Sequence, residues 1–213
     1  MINPVITAII AREEQATIDF RRDLHAHPEL PWEERRTTDR VVAELENIGI
    51  ACRRTAPTGV IADITGSKPG KTVALRADMD ALPVHELNER LSYKSLTAGK
   101  MHACGHDSHT AMLLTAARAL YEVREQMAGN VRLIFQPAEE IAEGAKAMIG
   151  PWIMSTTFLA CTSGPARLPA KYPATWGRHL PPQIYSKSPF AAAAVTVPCQ
   201  RPASMRRLSP PPS

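Results

Sequence analysis

SHTAMLLTAARALYEVREQM, residues 108–127, runs almost directly into NVRLIFQP, residues 130–137. The first stretch is rich in Ala and Leu and carries an apolar stripe at helical spacing, so it predicts a long helix. The second is a short apolar run of the kind that fills a buried strand. Working outward, GVIADIT (59–65) and KTVALRA (71–77) are β-rich runs separated by the turn residues GSKPG, and they read as a pair of strands. EERRTTDRVVAELENIG (33–49) predicts a helix with Val41, Val42, Leu45 and Ile48 on one stripe and Gly49 as its stop. Residues 4–24 repeat Ile6, Ile9, Ile10, Ile18 and Leu24 among charges, as a surface helix does. Helices alternating with strands imply an α/β fold, a layered sheet with helices on both faces, in which loops at strand ends carry the chemistry.

The net charge of +4 conceals two differently built parts. All 21 acidic residues lie before position 150, together with 18 of the 25 Lys and Arg, which leaves that part at −3 and the remainder at +7. Twelve of the 19 prolines fall in residues 150–213, which contain no Asp or Glu. Such a composition predicts a disordered tail and a domain confined to residues 1–149. Apolar runs are too short and too soon interrupted by Arg12, Glu13 and Glu14 for a membrane span, so no membrane association is expected. The N-terminus lacks the marks of a secretory signal, and the cysteines at 52, 104, 161 and 199 show neither disulfide nor zinc-finger spacing. Together these point to a mature N-terminus and a cytoplasmic, reducing location.

Three expected loops hold the residues with chemical potential. In HACGHDSHT (102–110), Cys104 and His106 sit two apart, a thiolate and an imidazole suited to zinc, with manganese or cobalt as alternatives. A nucleophilic Cys–His pair and an ordinary polar loop are the rival readings. In FQPAEE (135–140), Glu139 and Glu140 follow a strand. Adjacent carboxylates repel, which solvent tolerates and a cation turns to use. In RADMDALP (76–83), Asp78 and Asp80 leave a strand, and a carboxylate here could hold a ligand imidazole by hydrogen bonding. Turn chemistry accounts for the pair equally well.

Taken in order and spacing, DLHAHPEL (23–30), RADMDALP, HACGHDSHTAMLL (102–114) and FQPAEE resemble the M20 metal-dependent amidohydrolases. The resemblance covers residues 5 to 149. It is nearest to the branch of hippurate hydrolases, N-acyl-amino-acid amidohydrolases and indole-3-acetyl-amino-acid hydrolases. It implies an incomplete zinc-exopeptidase-like catalytic domain and a divalent metal cofactor, zinc, manganese or cobalt. It also implies a small N-acyl amino acid as substrate, no nucleic-acid or membrane partner, and homo-oligomeric full-length relatives. By the resemblance, Cys104, His106 and Glu140 match metal ligands and Glu139 the catalytic base, which accepts water's proton and delivers it to the leaving amine. Asp78 falls where the wider superfamily has a His-x-Asp pair, but Arg76 stands in the His place. His25, His27 and His109 lie in the matching segments and are assigned structural roles.

The family continues with a further metal-binding His, an inserted dimerisation domain and a last ligand near the C-terminus, none of which the tail supplies. Reread one nucleotide earlier, the tail changes character. Trp152 can give Met, Ile153 is forced to Asp, and residues 152–164 can become MDNVDDVFGMHIW. Residues 189–200 can likewise become TFRGRGGHGSMP. Both strings resemble family continuations, so the tail reads as a frameshifted translation and the chain as a truncated, feebly active or inactive enzyme. The competing expectation is a non-catalytic α/β scaffold with a basic binding tail. The seven basic residues there lack the aromatic or Gly-rich interleaving that nucleic-acid binding favours.

Overall fold

In the computed structural model, residues 4–149 and the strand at 156–160 are described. Helix α1 spans Pro4–Ala26 and α2 spans Arg35–Ile48. The expected stop at Gly49 is a Schellman end. Gly49 takes φ 90°, its N–H donates to the Glu46 carbonyl, and the Ile50 N–H donates to the Leu45 carbonyl at 2.9 Å. Strands β1 (Cys52–Arg54), β2 (Val60–Thr65) and β3 (Lys68–Asp78) follow. Next come helix α3 (His106–Glu122), strand β4 (Ala128–Gln136), the short helix α4 (Gly144–Met148) and strand β5 (Thr156–Ala160).

The strands form one mixed sheet in the order β1-β2-β4-β3-β5. β1 and β4 flank β2 antiparallel, whereas β3 runs parallel to both β4 and β5. β2 and β3, although adjacent in sequence, therefore do not pair with each other. The GSKPG segment is not a hairpin turn: Gly66 N–H donates to Gly129 O and Lys68 N–H to Met127 O, so the chain steps across the start of β4. Its last residues already belong to β3, which starts at Lys68 against Ala128.

Alternate residues of the strands face opposite ways. One face carries Val60, Ala62, Ile64, Leu133, Phe135 and Ala77, packed under Leu24 of α1, Val41 and Leu45 of α2, and Leu114 and Ala117 of α3. The other face carries Ile61, Ala74 and Ile134, met by Met148 of α4. Helices thus occur on both faces, with the three long ones on one. Full burial of each Leu, Val, Ile or Phe contributes about 1.5–3 kcal/mol, so the first cluster is the main stabilising core of the described residues. Within the expected tail, Thr156–Ala160 forms β5 in register with Thr72–Arg76, so expected disorder does not extend to those residues. The rest of the tail lies outside the described residues.

Candidate metal centre

β3 and β4 are parallel and α3 connects them, so both strand C-termini and the α3 N-terminus emerge at one edge of the sheet. In such sheets that edge is where ligands bind. Asp78 ends β3, Asp80 follows it, and Glu139 and Glu140 sit in a turn just beyond β4. α3 begins earlier than its sequence suggests. Gly105, at φ 85°, precedes the first turn, so His106, Asp107 and His109 belong to the helix rather than to the loop before it. An acidic residue in a first turn complements the helix dipole, and Asp107 occupies that place. Residues three apart on a helix share a face, and the His106 and His109 rings lie 5.6 Å apart by centroids.

Cys104, His106 and Glu140 converge, each offering a ligand atom within 4.8 Å of the others. Asp78, His106 and His109 form a second such group, so His106 belongs to both. The His106 Nδ1–H donates to the Asp80 main-chain oxygen at 2.8 Å, with Asp80 Oδ1 at 3.4 Å. That leaves Nε2 facing carboxylate oxygens of Asp78 at 3.6 Å, Glu140 at 3.8 Å and Glu139 at 3.9 Å. Asp80 also accepts the Glu140 N–H through Oδ2 at 2.9 Å. Asp80 thereby orients two of the three converging residues, His106 through its main-chain oxygen and Glu140 through its carboxylate. Asp78 bonds His109 Nδ1 at 2.5 Å and Arg76 Nη1 at 2.9 Å. The imidazole it holds by hydrogen bonding is that of His109, while the orienting partner of His106 is Asp80.

The electrostatics follow from four carboxylates crowded at one edge. Burial alone would depress the His106 pKa, but Asp80 and the charge of Asp78 raise it to about 9. Hydrogen bonding to Glu140, burial and the nearby charges of Glu139 and Asp78 push the Cys104 thiol up to about 12. Burial raises the carboxyl of Glu139, and Asp78 raises it further. Burial would raise Asp78 and Asp80 as well, yet the bond from His109 holds Asp78 below the usual carboxylate range, and the adjacent His106 imidazole with the Glu140 N–H does the same for Asp80. A nucleophilic cysteine needs cationic surroundings that favour its thiolate, and Cys104 has the opposite. A divalent cation would pull the raised values of Cys104, His106 and Glu139 back down together. Three buried polar atoms here, Asp80 Oδ1, His109 Nε2 and Glu140 Oε1, have no hydrogen-bond partner among the described residues, as groups that serve a ligand would not. The donor set of thiol, imidazole and carboxylate thus fits a zinc-like ion.

The pattern of peptidase family M20/M25/M40 matches residues 74–197. The chain belongs to this family. Among its relatives, thermostable carboxypeptidase 1 of Saccharolobus solfataricus is 49% identical over 146 residues, 67% of this chain and 37% of the relative. The N-acyl-L-amino acid amidohydrolase of Geobacillus stearothermophilus is 41% identical over 156 residues, 72% of this chain and 42% of the relative. A Bacillus subtilis protein described as a dinuclear metal binding peptidase from the M20 family shares the fold at a TM-score of 0.67, with 40% identity over 75% of this chain and 45% of its own. The chain therefore spans less than half the length of these relatives. The family match also runs past residue 149, into the proline-rich part.

The sequence misleads at His109: it reads as a structural histidine, yet it stands in one of the two candidate ligand groups, and its signal is the three-residue spacing from His106. For Asp80, between holding a ligand imidazole and turn chemistry, the structure shows the first: its main-chain oxygen accepts from His106 and its carboxylate holds the Glu140 main chain. His25 bonds Asp107 and Glu86, and His27, just past the end of α1, bonds the Asp23 carbonyl of that helix, both outside the candidate ligand groups.

Proposed function

We propose that this chain carries the metal-holding half of an M20 amidohydrolase that cleaves the amide bond of N-acyl amino acids, hippurate among them. Cys104, His106 and Glu140 are the ligands and Glu139 is the general base. The observation that carries the reading is the approach of those three ligand atoms to within 4.8 Å of one another, beside a raised Glu139 carboxyl. When bound, a divalent ion (zinc, manganese or cobalt) supplies Lewis acidity toward the amide carbonyl and makes water easier to deprotonate. Asp80 holds the His106 Nδ1–H, so the proton displaced on metal binding is the one on Nε2, and Nε2 is the nitrogen presented to the centre. Glu139, partly exposed and with its pKa raised, takes the proton of the attacking water and returns it to the departing amine.

Both named relatives suit this bond. A carboxypeptidase and an N-acyl amino acid amidohydrolase each act on an amide whose amine side is an amino acid. We assign a cytoplasmic location, a small-molecule substrate, no nucleic-acid or membrane partner and a homo-oligomeric full-length form. Among the described residues no helix is long and apolar enough to cross a membrane. We further infer that residues 150–213 are largely a frameshifted translation, on the strength of their missing acids and their rereading. The family match to residue 197 weighs against that inference.

The test is hydrolysis of hippurate and related N-acyl amino acids with added zinc, manganese or cobalt, by this chain and by a frame-restored longer one. Metal-dependent turnover by the longer protein, abolished by a chelator and restored by metal, is expected, with weak turnover by the shorter one. Turnover that survives chelation and stops on alkylation of Cys104 would refute the metal reading.

A further inference from the structure

Glu34 is a carboxylate with no access to solvent, placed immediately before α2. A carboxylate at that position ordinarily caps its own helix. Glu34 does not: its side chain makes no capping bond, and Glu29 accepts the Arg36 and Thr37 N–H groups at 3.0 and 2.8 Å instead. The Glu34 carboxylate turns inward. Its Oε2 accepts the Thr58 hydroxyl at 2.7 Å, and its Oε1 accepts the Ala138 N–H at 2.8 Å.

Ala138 is the residue before Glu139, and it holds φ 49°, a left-handed conformation that a non-glycine residue adopts only under constraint. Ala142, closing the same turn, holds φ 56°. The Ala138 carbonyl accepts the N–H groups of Glu143 and Gly144, and Gly144 lies so close to Pro137 O that an added Cβ would stand 1.6 Å from it. Two residues of this turn are held left-handed, and the turn places both glutamates of the candidate centre. Asp80 grips it at the Glu140 N–H, and Glu34 grips it at the Ala138 N–H, on the other side of Glu139.

We infer that Glu34 is a positioning residue: through Ala138 it fixes the strained turn that presents Glu139 and Glu140 to the metal. The inference rests on the proposed metal centre. Burial raises the Glu34 carboxyl, against the bonds from Thr58 and Ala138 that favour its ionised form. A neutral amide could make both bonds too, its oxygen accepting from Ala138 and its nitrogen donating to Thr58. Charge is therefore dispensable and the acceptor is not.

The experiment is titration of the 213-residue chain with cobalt(II), read by the thiolate-to-cobalt absorption that Cys104 would produce, with thermal melts alongside. Glu34→Leu, which leaves the Ala138 N–H without a partner, should weaken cobalt binding by about 10–100-fold, the usual effect of losing an outer partner of a metal site. Glu34→Gln should bind like the parent. Leu45→Ala, in the core of the same helix, should lower the melting temperature without weakening cobalt binding. Should Glu34→Leu not fold, Glu34→Asp carries the test: it keeps the charge but is too short to reach both donors, and should bind cobalt more weakly than the parent. Parent-like affinity in a folded Glu34→Leu or Glu34→Asp variant, or an equal loss in Leu45→Ala, overturns the inference alone. No Cys104-dependent absorption in the parent overturns the metal centre and this inference with it.

Discussion

Replacing Asp80 by Asn should weaken metal binding far more than it destabilises the fold. Asp80 is 1% exposed; its Oδ2 accepts the Glu140 N–H at 2.9 Å, and its Oδ1 lies 3.4 Å from His106 Nδ1, whose N–H donates to the Asp80 main-chain oxygen at 2.8 Å. An Asn amide keeps the main-chain bond but loses the carboxylate charge and one of its two acceptors. If its oxygen stays on Glu140, that bond is no longer charge-assisted and an NH2 crowds the His106 Nδ1–H; if it flips, the Glu140 N–H loses its acceptor. Either response loosens the hold on a ligand. A hydrogen bond to a charged group is worth about 1.5–3 kcal/mol. At about 1.4 kcal/mol per tenfold change, that is roughly 10–150-fold in affinity. Substitution of outer partners at known metal sites gives about 10–100-fold, so two independent routes agree. Stability should move less, because burying the Asp80 charge is itself costly and a neutral amide escapes that cost. Competition for cobalt(II) or zinc against a chromogenic chelator measures the affinity, and a thermal melt of the metal-free chain measures the fold. Parent-like affinity in a folded Asp80→Asn chain would refute the reasoning, as would an affinity loss that merely tracks a large fall in melting temperature.

Glu139→Gln in the frame-restored protein should remove nearly all turnover while leaving metal affinity close to the parent's, since it deletes the base and spares Glu140; metal titration and initial rates on one preparation decide it. His25 is clamped between Asp107 Oδ2 at 2.8 Å and Glu86 Oε1 at 3.2 Å, with Arg21, His102 and Tyr93 around it. Its bond to Asp107 raises its pKa against the effect of burial, and Glu86 adds to the rise. The clamp therefore contributes stability that is complete below the unfolded pKa of about 6.5 and is lost as pH climbs through the raised folded value. The melting-temperature gap between the parent and His25→Gln should narrow over that climb, and a gap that widened would contradict the clamp. Gly144→Ala forces a methyl onto Pro137 O and should destabilise the chain by about 1–3 kcal/mol, as overpacking does, measured by urea unfolding; an unchanged midpoint would count against the close approach.

Much of the architecture is visible in local pattern. The stripe Val41, Val42 and Leu45, ended by Gly49, gives α2 and its cap, because period and terminator both act over a few residues. Pairing is not local. GVIADIT and KTVALRA look like neighbours along the chain, but β4, some fifty residues later, comes between them and pairs with both. The three-residue β1 carries too little pattern to be seen in advance. At the site, the Cys104, His106 and Glu140 set was legible because each has ligand chemistry of its own. Asp80, His109 and Glu34 act by what they hold: an imidazole nitrogen, another carboxylate, a main-chain N–H. Those partners are 26, 31 and 104 residues away in sequence.

The most direct test of the account is to grow crystals of the chain with zinc and locate the ion by anomalous scattering. The account predicts one peak about 2.0–2.3 Å from Cys104 Sγ, His106 Nε2 and a Glu140 carboxylate oxygen, with Glu139 adjacent and not coordinating through the same atom. A peak elsewhere on the chain, or none with zinc in excess, would contradict it.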